Sequence, residues 1–170
     1  MLFCSKLICV APIGNIPQQL AESSERQRGA ADFIYGNEFL ARMTGTSIAA
    51  LNFRLYAVWT MRSALEHPGT QRSEHDALDL WVPAAAAWIE VLGPQMYRWT
   101  DEYPSGPRVG APGRGGALWD GKHGFCKERW TLWRTRFREI AAAPGVAQDI
   151  VIIASQAAGT MGMVESAAES

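Results

Sequence analysis

Apolar side chains recur at spacings of three and four in several separate stretches of this chain, and that period predicts helices. Ile48, Leu51, Leu55, Val58 or Trp59, Arg62 and Leu65 mark one face of a helix over residues 46–66, capped by Thr46 and stopped by Pro68 and Gly69. Leu78, Trp81, Ala85, Trp88 and Leu92 mark a second, with Ser73 and Asp76 as a loose capping pair and an end between Tyr97 and Tyr103. Pro83 and Pro94 lack an N–H and crowd the preceding turn, so a boundary or kink is expected at each. Cys126, Trp130, Trp133, Phe137 and Ile140 line a third helix, ended by Pro144 and Gly145. Ile150, Ile153, Ala157 and Met161 line a fourth over residues 147–163.

A shorter helix fits residues 32–43, with Gly45 suited to the turn that ends it. Ahead of it no period is sustained, so residues 1–36 read as a poorly structured arm, 37–163 as the helical domain and 164–170 as a frayed tail. Five Gly and three Pro fall within residues 104–116, which excludes a regular element there and makes this long loop the first place to look for a site. No stretch alternates with period two long enough to require a strand. The expected fold is therefore all-α, a single-domain bundle of four or five helices with a long Gly/Pro loop.

Composition narrows the picture. A chain of 170 residues with 48% hydrophobic and 19% charged positions can bury one core without metals or disulfides. A formal charge of -1 supplies no global field toward nucleic acid or an anionic membrane. Three cysteines at scattered positions form no disulfide framework, which fits an intracellular, cytoplasmic setting. Residues 1–14 are apolar, but Lys6 interrupts them and no basic region precedes, which weighs against a secretory signal. No later segment reaches the roughly 18 uncharged apolar residues of a membrane span.

Candidate chemistry is thin. Gly116, Gly121 and Lys122 match part of a phosphate-binding loop, yet His123 stands at the hydroxyl position and no strand precedes. Lys122, Lys127, Arg129, Arg134, Arg136 and Arg138 give the third helix a basic face, read first as solvated arginines whose stems cover aromatic rings. His123 with Cys126, and His67 with Glu74, His75 and Asp76, could assemble a metal site only if two loops met. Cys126 as a nucleophile conflicts with its place on the apolar stripe. No catalytic residue, metal or cofactor is expected.

Six of the seven Trp fall within or beside the predicted helices, at 59, 81, 88, 119, 130 and 133, and are expected in the core, with Trp119 the exception because it abuts the loop. A ligand pocket, if present, would use Trp119, His123, Arg129, Trp133 and Asp101, with residues 108–123 as a lid.

Residues 37–44, 56–59, 78–89, 116–121, 124–130 and 133–137 resemble a fungal family of uncharacterised helical proteins, a domain of unknown function, over about residues 37–161. The resemblance implies membership and assigns no activity. It also implies a shortened member, since that family usually carries further helices before the segment that Asn37 begins. Apolar surface left uncovered on the helix over 46–66 would then favour self-association. The expected function is a non-enzymatic helical scaffold or interaction module. The alternative is a small-molecule-binding protein or enzyme with the lid described above. Nucleic-acid binding is not expected.

Overall fold

The computed structural model describes residues 18–69 and 78–170, with side chains from residue 25 onward. Its helices are α1 (Gln18–Gly45), α2 (Arg54–Leu65), α3 (Leu78–Met96), α4 (Lys127–Ala142) and α5 (Gln148–Glu169), with a 3-10 turn at Ala49–Leu51 before α2. No strand lies among the described residues, and the fold is all-α.

α3 is the central rod. It carries the most apolar sequence of the five, burying Val82, Ala85, Trp88, Ile89, Leu92 and Met96, and packs against α1, α2 and α5. α4 closes the other side of the core, with Trp130, Trp133, Phe137 and Ile140 at 2% exposure or less. The expected kinks do not interrupt α3, which runs through both Pro83 and Pro94. The reason lies in what each proline strands. The carbonyls without partners belong to Asp79 and Glu90, both exposed, so water can satisfy them.

Helix starts differ more. α1 begins at Gln18, so residues 18–36, read from sequence as part of an arm, are helical. Residues 25–29 are all exposed, so no apolar stripe was there to read, although Glu, Arg and Gln are good helix formers. Residues 1–17 lie outside the described residues. The far end departs in the same sense, since α5 continues to Glu169.

The helix expected over 46–66 starts only at Arg54. Ser47 sits at φ 60, and the Thr46 hydroxyl donates to the Met43 carbonyl, closing α1 instead of capping the next helix. Thr44 makes the junction: its hydroxyl donates to Leu40 O at 2.8 Å and accepts the Phe53 N–H at 3.1 Å. Ile48 is consequently 55% exposed, while the buried face of α2 is Ala57, Val58, Met61, Ala64 and Leu65.

α5 corrects another expectation. Among the described residues it is long and apolar enough to cross a membrane by length and composition, through the run Ile150, Val151, Ile152 and Ile153 and the alanines and methionines that follow. In the bundle, its Ile150, Ala154, Ala157, Ala158 and Met161 are buried, and it packs against α3 and α4.

Candidate functional site

Two places concentrate unusual chemistry. The first lies under the long loop. Glu66 ends α2 and Arg129 sits one turn into α4, and both side chains are 0% exposed with Arg129 Nε 2.7 Å from Glu66 Oε1. Each carboxylate oxygen has two donors: Oε1 accepts from Arg129 Nε and from Trp133 Nε1 at 2.7 Å, and Oε2 from Arg129 Nη2 at 3.1 Å and from the Gly116 N–H at 2.8 Å. The remaining guanidinium nitrogen, Nη1, donates to Gly113 O at 3.1 Å and Gly124 O at 2.9 Å. A buried charge pair is tolerated only when its other lone pairs and protons are satisfied, and here both carboxylate oxygens accept twice and four of the five guanidinium protons are donated.

The loop is fastened to that pair. Leu118 N–H donates to the Glu66 carbonyl, Trp59 Nε1 to Pro112 O at 2.8 Å, and Arg62 Nη1 to Arg114 O at 3.1 Å. Glycines permit the contact: a Cβ at Gly116 would stand 2.5 Å from Glu66 O, and one at Gly124 2.0 Å from Asp101 O. Burial lowers the pKa of the Arg62 guanidinium, partly offset by Glu66.

Of the five residues expected around a pocket, Trp119, Arg129 and Trp133 come together. The Arg129 guanidinium carbon lies 5.7 Å from the Trp119 ring centroid and 5.4 Å from that of Trp133. Both Asp101 carboxylate oxygens instead accept from the one Arg54 nitrogen Nη1, at 2.9 and 3.0 Å, with the Arg54 guanidinium over Trp99. Burial and the neighbouring Asp101 push the Tyr103 phenol up to about 12, with Arg54 opposing. His123 lies at the loop surface, its Nδ1 3.3 Å from Ser105 Oγ.

The other motifs resolve into packing. Gly116 spends its N–H on Glu66, Lys122 Nζ donates to Thr100 O at 2.8 Å, and a Cβ at Gly121 would meet the Trp119 ring at 2.6 Å, so no phosphate cradle forms. The basic face of α4 is largely a set of clamps. Arg129 is buried, Arg134 pairs with Glu165 of α5, and Lys127 binds the Tyr97 carbonyl. Arg136 donates to the carbonyls of Leu65, His67 and Gly69, capping the end of α2. Among the described residues no three His, Cys, Asp or Glu gather to hold a metal; Glu74, His75 and Asp76 lie outside them. Cys126, expected on the buried stripe, is instead the half-buried N-cap of α4 with its pKa raised by burial, and Phe125 beside it takes the core position. The nearby Glu128 carboxyl is held low by a backbone hydrogen bond and by the Cys126 thiol.

The second place was not foreseen. α1, α2 and the start of α3 enclose an open groove of about 550 Å³ lined by Phe33, Phe39, Leu40, Tyr56, Trp59 and Trp81, with Asp32 its one charged residue. Phe33 meets Trp81 edge-on at 4.9 Å, and Tyr56 meets Trp59 at 5.1 Å. The groove also touches Asn37 and Thr60, whose polar atoms are paired with one another and with the core. Asn37 Oδ1 accepts from Thr60 Oγ1 at 2.7 Å and Trp88 Nε1 at 2.9 Å, and its Nδ2 donates to Phe33 O. Phe39 is 58% and Tyr56 47% exposed at the mouth.

No curated protein and no solved structure matches the chain. Residues 14–137 match the family described as protein of unknown function (DUF3632), a span that takes in α1, α2, α3, the stapled loop and most of α4. The chain belongs to this family, DUF3632.

Proposed function

We propose that the chain is a non-enzymatic helical interaction module whose aromatic groove between α1 and α2 seats an apolar segment of a protein. The observation that carries this reading is the groove itself. Large aromatic side chains stand half exposed around a concavity whose neighbouring polar atoms are already paired, an arrangement suited to apolar docking. The contrast with the loop region supports it. There the charged groups are closed off from solvent and bound to one another, as a structural staple requires.

Photo-crosslinking tests the proposal. Benzoylphenylalanine at position 39, irradiated in cells that make the chain, should form discrete adducts that the same probe at exposed Asp149 does not form. Equal adducts at both positions would overturn the reading. So would a small molecule that raises the melting temperature and loses its effect on Trp119→Ala, since that places binding under the loop.

A further inference from the structure

We infer that the docked segment places a quaternary ammonium, the head of a trimethylated lysine, among the groove's aromatic rings. This rests on reading the groove as a docking site for a protein segment, and names the side chain it selects.

The walls set the first condition. Of the ten residues that line the groove, five are aromatic, Phe33, Phe39, Tyr56, Trp59 and Trp81, and one is charged, Asp32. The face of an aromatic ring is the negative part of its quadrupole and attracts cations. The formal charge has the matching sign, since Asp32 is exposed and, among the described residues, enters no ion pair. A wholly apolar occupant would leave both features unused.

Hydrogen bonding sets the second condition. A primary ammonium or a guanidinium carries several N–H groups, and each needs an acceptor once it leaves water. The groove has few to offer. Asn37 Oδ1 already accepts from Thr60 Oγ1 and from Trp88 Nε1, and the flanking main chain of α1 and α2 is helical. A quaternary ammonium has no N–H, so it keeps the attraction to rings and carboxylate without stranding a donor. That difference separates trimethylated from unmodified lysine.

Space is the third condition. Gly36 lies one turn from both Phe33 and Leu40, and a Cβ built on it meets nothing within 4 Å. The hollow therefore opens directly over the backbone of α1. At 1.5 Å per residue, Asp32 to Leu40 spans about 12 Å, longer than one ammonium head. Apolar neighbours of the modified lysine fill the remainder, which is why the source is a protein segment and not a free choline-like molecule.

The test titrates the full chain into a fluorescent peptide, Ala-Leu-Lys-Leu-Ala, and reads polarisation. Three forms are compared: the lysine trimethylated, the lysine unmodified, and a neutral analogue with carbon in place of the charged nitrogen. The trimethylated form should bind about tenfold tighter than either of the others, the scale of a partly desolvated cation over aromatic faces. Asp32→Asn should shrink that preference, and Gly36→Met should abolish binding by filling the hollow. Neither change threatens the fold, because Asp32 is exposed and Met is the better helix former in open space, so Tm should hold or rise. Choline supplies an arm free of peptide sequence: it should shift the Trp59 indole signal in NMR spectra, and its neutral carbon isostere should not. In cells, the peptides linked to benzoylphenylalanine at position 39 should carry a trimethylated lysine by mass spectrometry.

Equal affinity for the three forms would overturn the inference, as would failure of both the trimethylated peptide and choline to bind. Binding that survives Gly36→Met would place the cation elsewhere and overturn it too. Asp32-dependent recruitment to phosphatidylcholine vesicles without peptide binding would overturn it in favour of a lipid headgroup. In each of these cases, adducts between position 39 and proteins without the modification would leave the interaction-module reading standing. Absence of any adduct at 39 would remove that reading as well.

Discussion

Glu66→Gln is the most informative single change, because it preserves shape while removing one acceptor. Both carboxylate oxygens accept two hydrogen bonds, so in either orientation the new amide nitrogen faces two donors. It also leaves the 0% exposed Arg129 guanidinium without its counter-charge. Removing one member of a buried ion pair costs about 3–5 kcal/mol. That is a large part of the roughly 5–15 kcal/mol by which domains are stable. At this chain length 1 kcal/mol moves Tm by about 2–4 °C, so calorimetry should show a fall on the order of 10 °C. Hydrogen exchange localises the effect. Either the Gly116 amide or the Trp133 indole N–H loses its acceptor and should exchange faster, whereas Leu118 bonds the Glu66 main-chain carbonyl and should keep more of its protection. Adding Arg129→Met should restore only part of the loss, since Gly113 O and Gly124 O lose their donor and either Gly116 N–H or Trp133 Nε1 still faces the amide nitrogen. A Glu66→Gln protein that melts within a degree or two of the parent would refute the staple.

Further outcomes follow from single distances and environments. Gly124→Ala places a Cβ 2.0 Å from Asp101 O and should lower stability by about 1–3 kcal/mol in chemical denaturation. Gly159→Ala on α5 meets nothing within 4 Å and should raise it by about 0.4–1 kcal/mol. Burial raises the Cys126 pKa, so in a Cys4→Ser, Cys9→Ser chain its alkylation near pH 8 should be slower folded than unfolded; the reverse order would contradict its placement. Tyr103, raised from 10.0 to about 12, is neutral in both states below pH 10. Between pH 10 and 12 the unfolded chain ionises first, so stability is lost as pH rises through that window, and Tyr103→Phe should flatten the decline in a pH series of melts.

The bundle was legible because its core stripes are pure. Trp88 and Leu92 on α3, and Trp130, Trp133, Phe137 and Ile140 on α4, sit at the positions that a period of three and four marks, and all are buried. Two sites were not legible, for different reasons. Arg129 extends an apolar stripe one turn before Trp133, but its charge groups it with the basic residues beside it. Glu66 follows Leu65 directly, off the three-and-four period of Val58, Met61 and Leu65, and is buried only because the chain leaves α2 there beneath the loop. The groove left no sign at all. Its walls come from three helices, and α1 presents exposed Tyr35 and Phe39 without an apolar period, so only the packing of α1 beside α2 brings Phe39 to Tyr56 and Trp59.

Trp59 connects the two sites and allows them to be separated. Its ring lines the groove, while its Nε1 reaches 2.8 Å to Pro112 O and fastens the loop. Trp59→Phe keeps an aromatic wall and removes that hydrogen bond, a net loss of about 0.5–1.5 kcal/mol. If α2 alone shapes the groove, limited proteolysis within residues 104–116 should accelerate while adduct formation from position 39 is retained. Loss of both would mean that the loop's staple also sets the groove's width. The remaining contacts favour the first outcome. Arg62 to Arg114 O, Gly116 to Glu66 and Leu118 to Glu66 O still hold the loop, and the buried faces of α1 and α2 stay joined through Asn37 and Thr60.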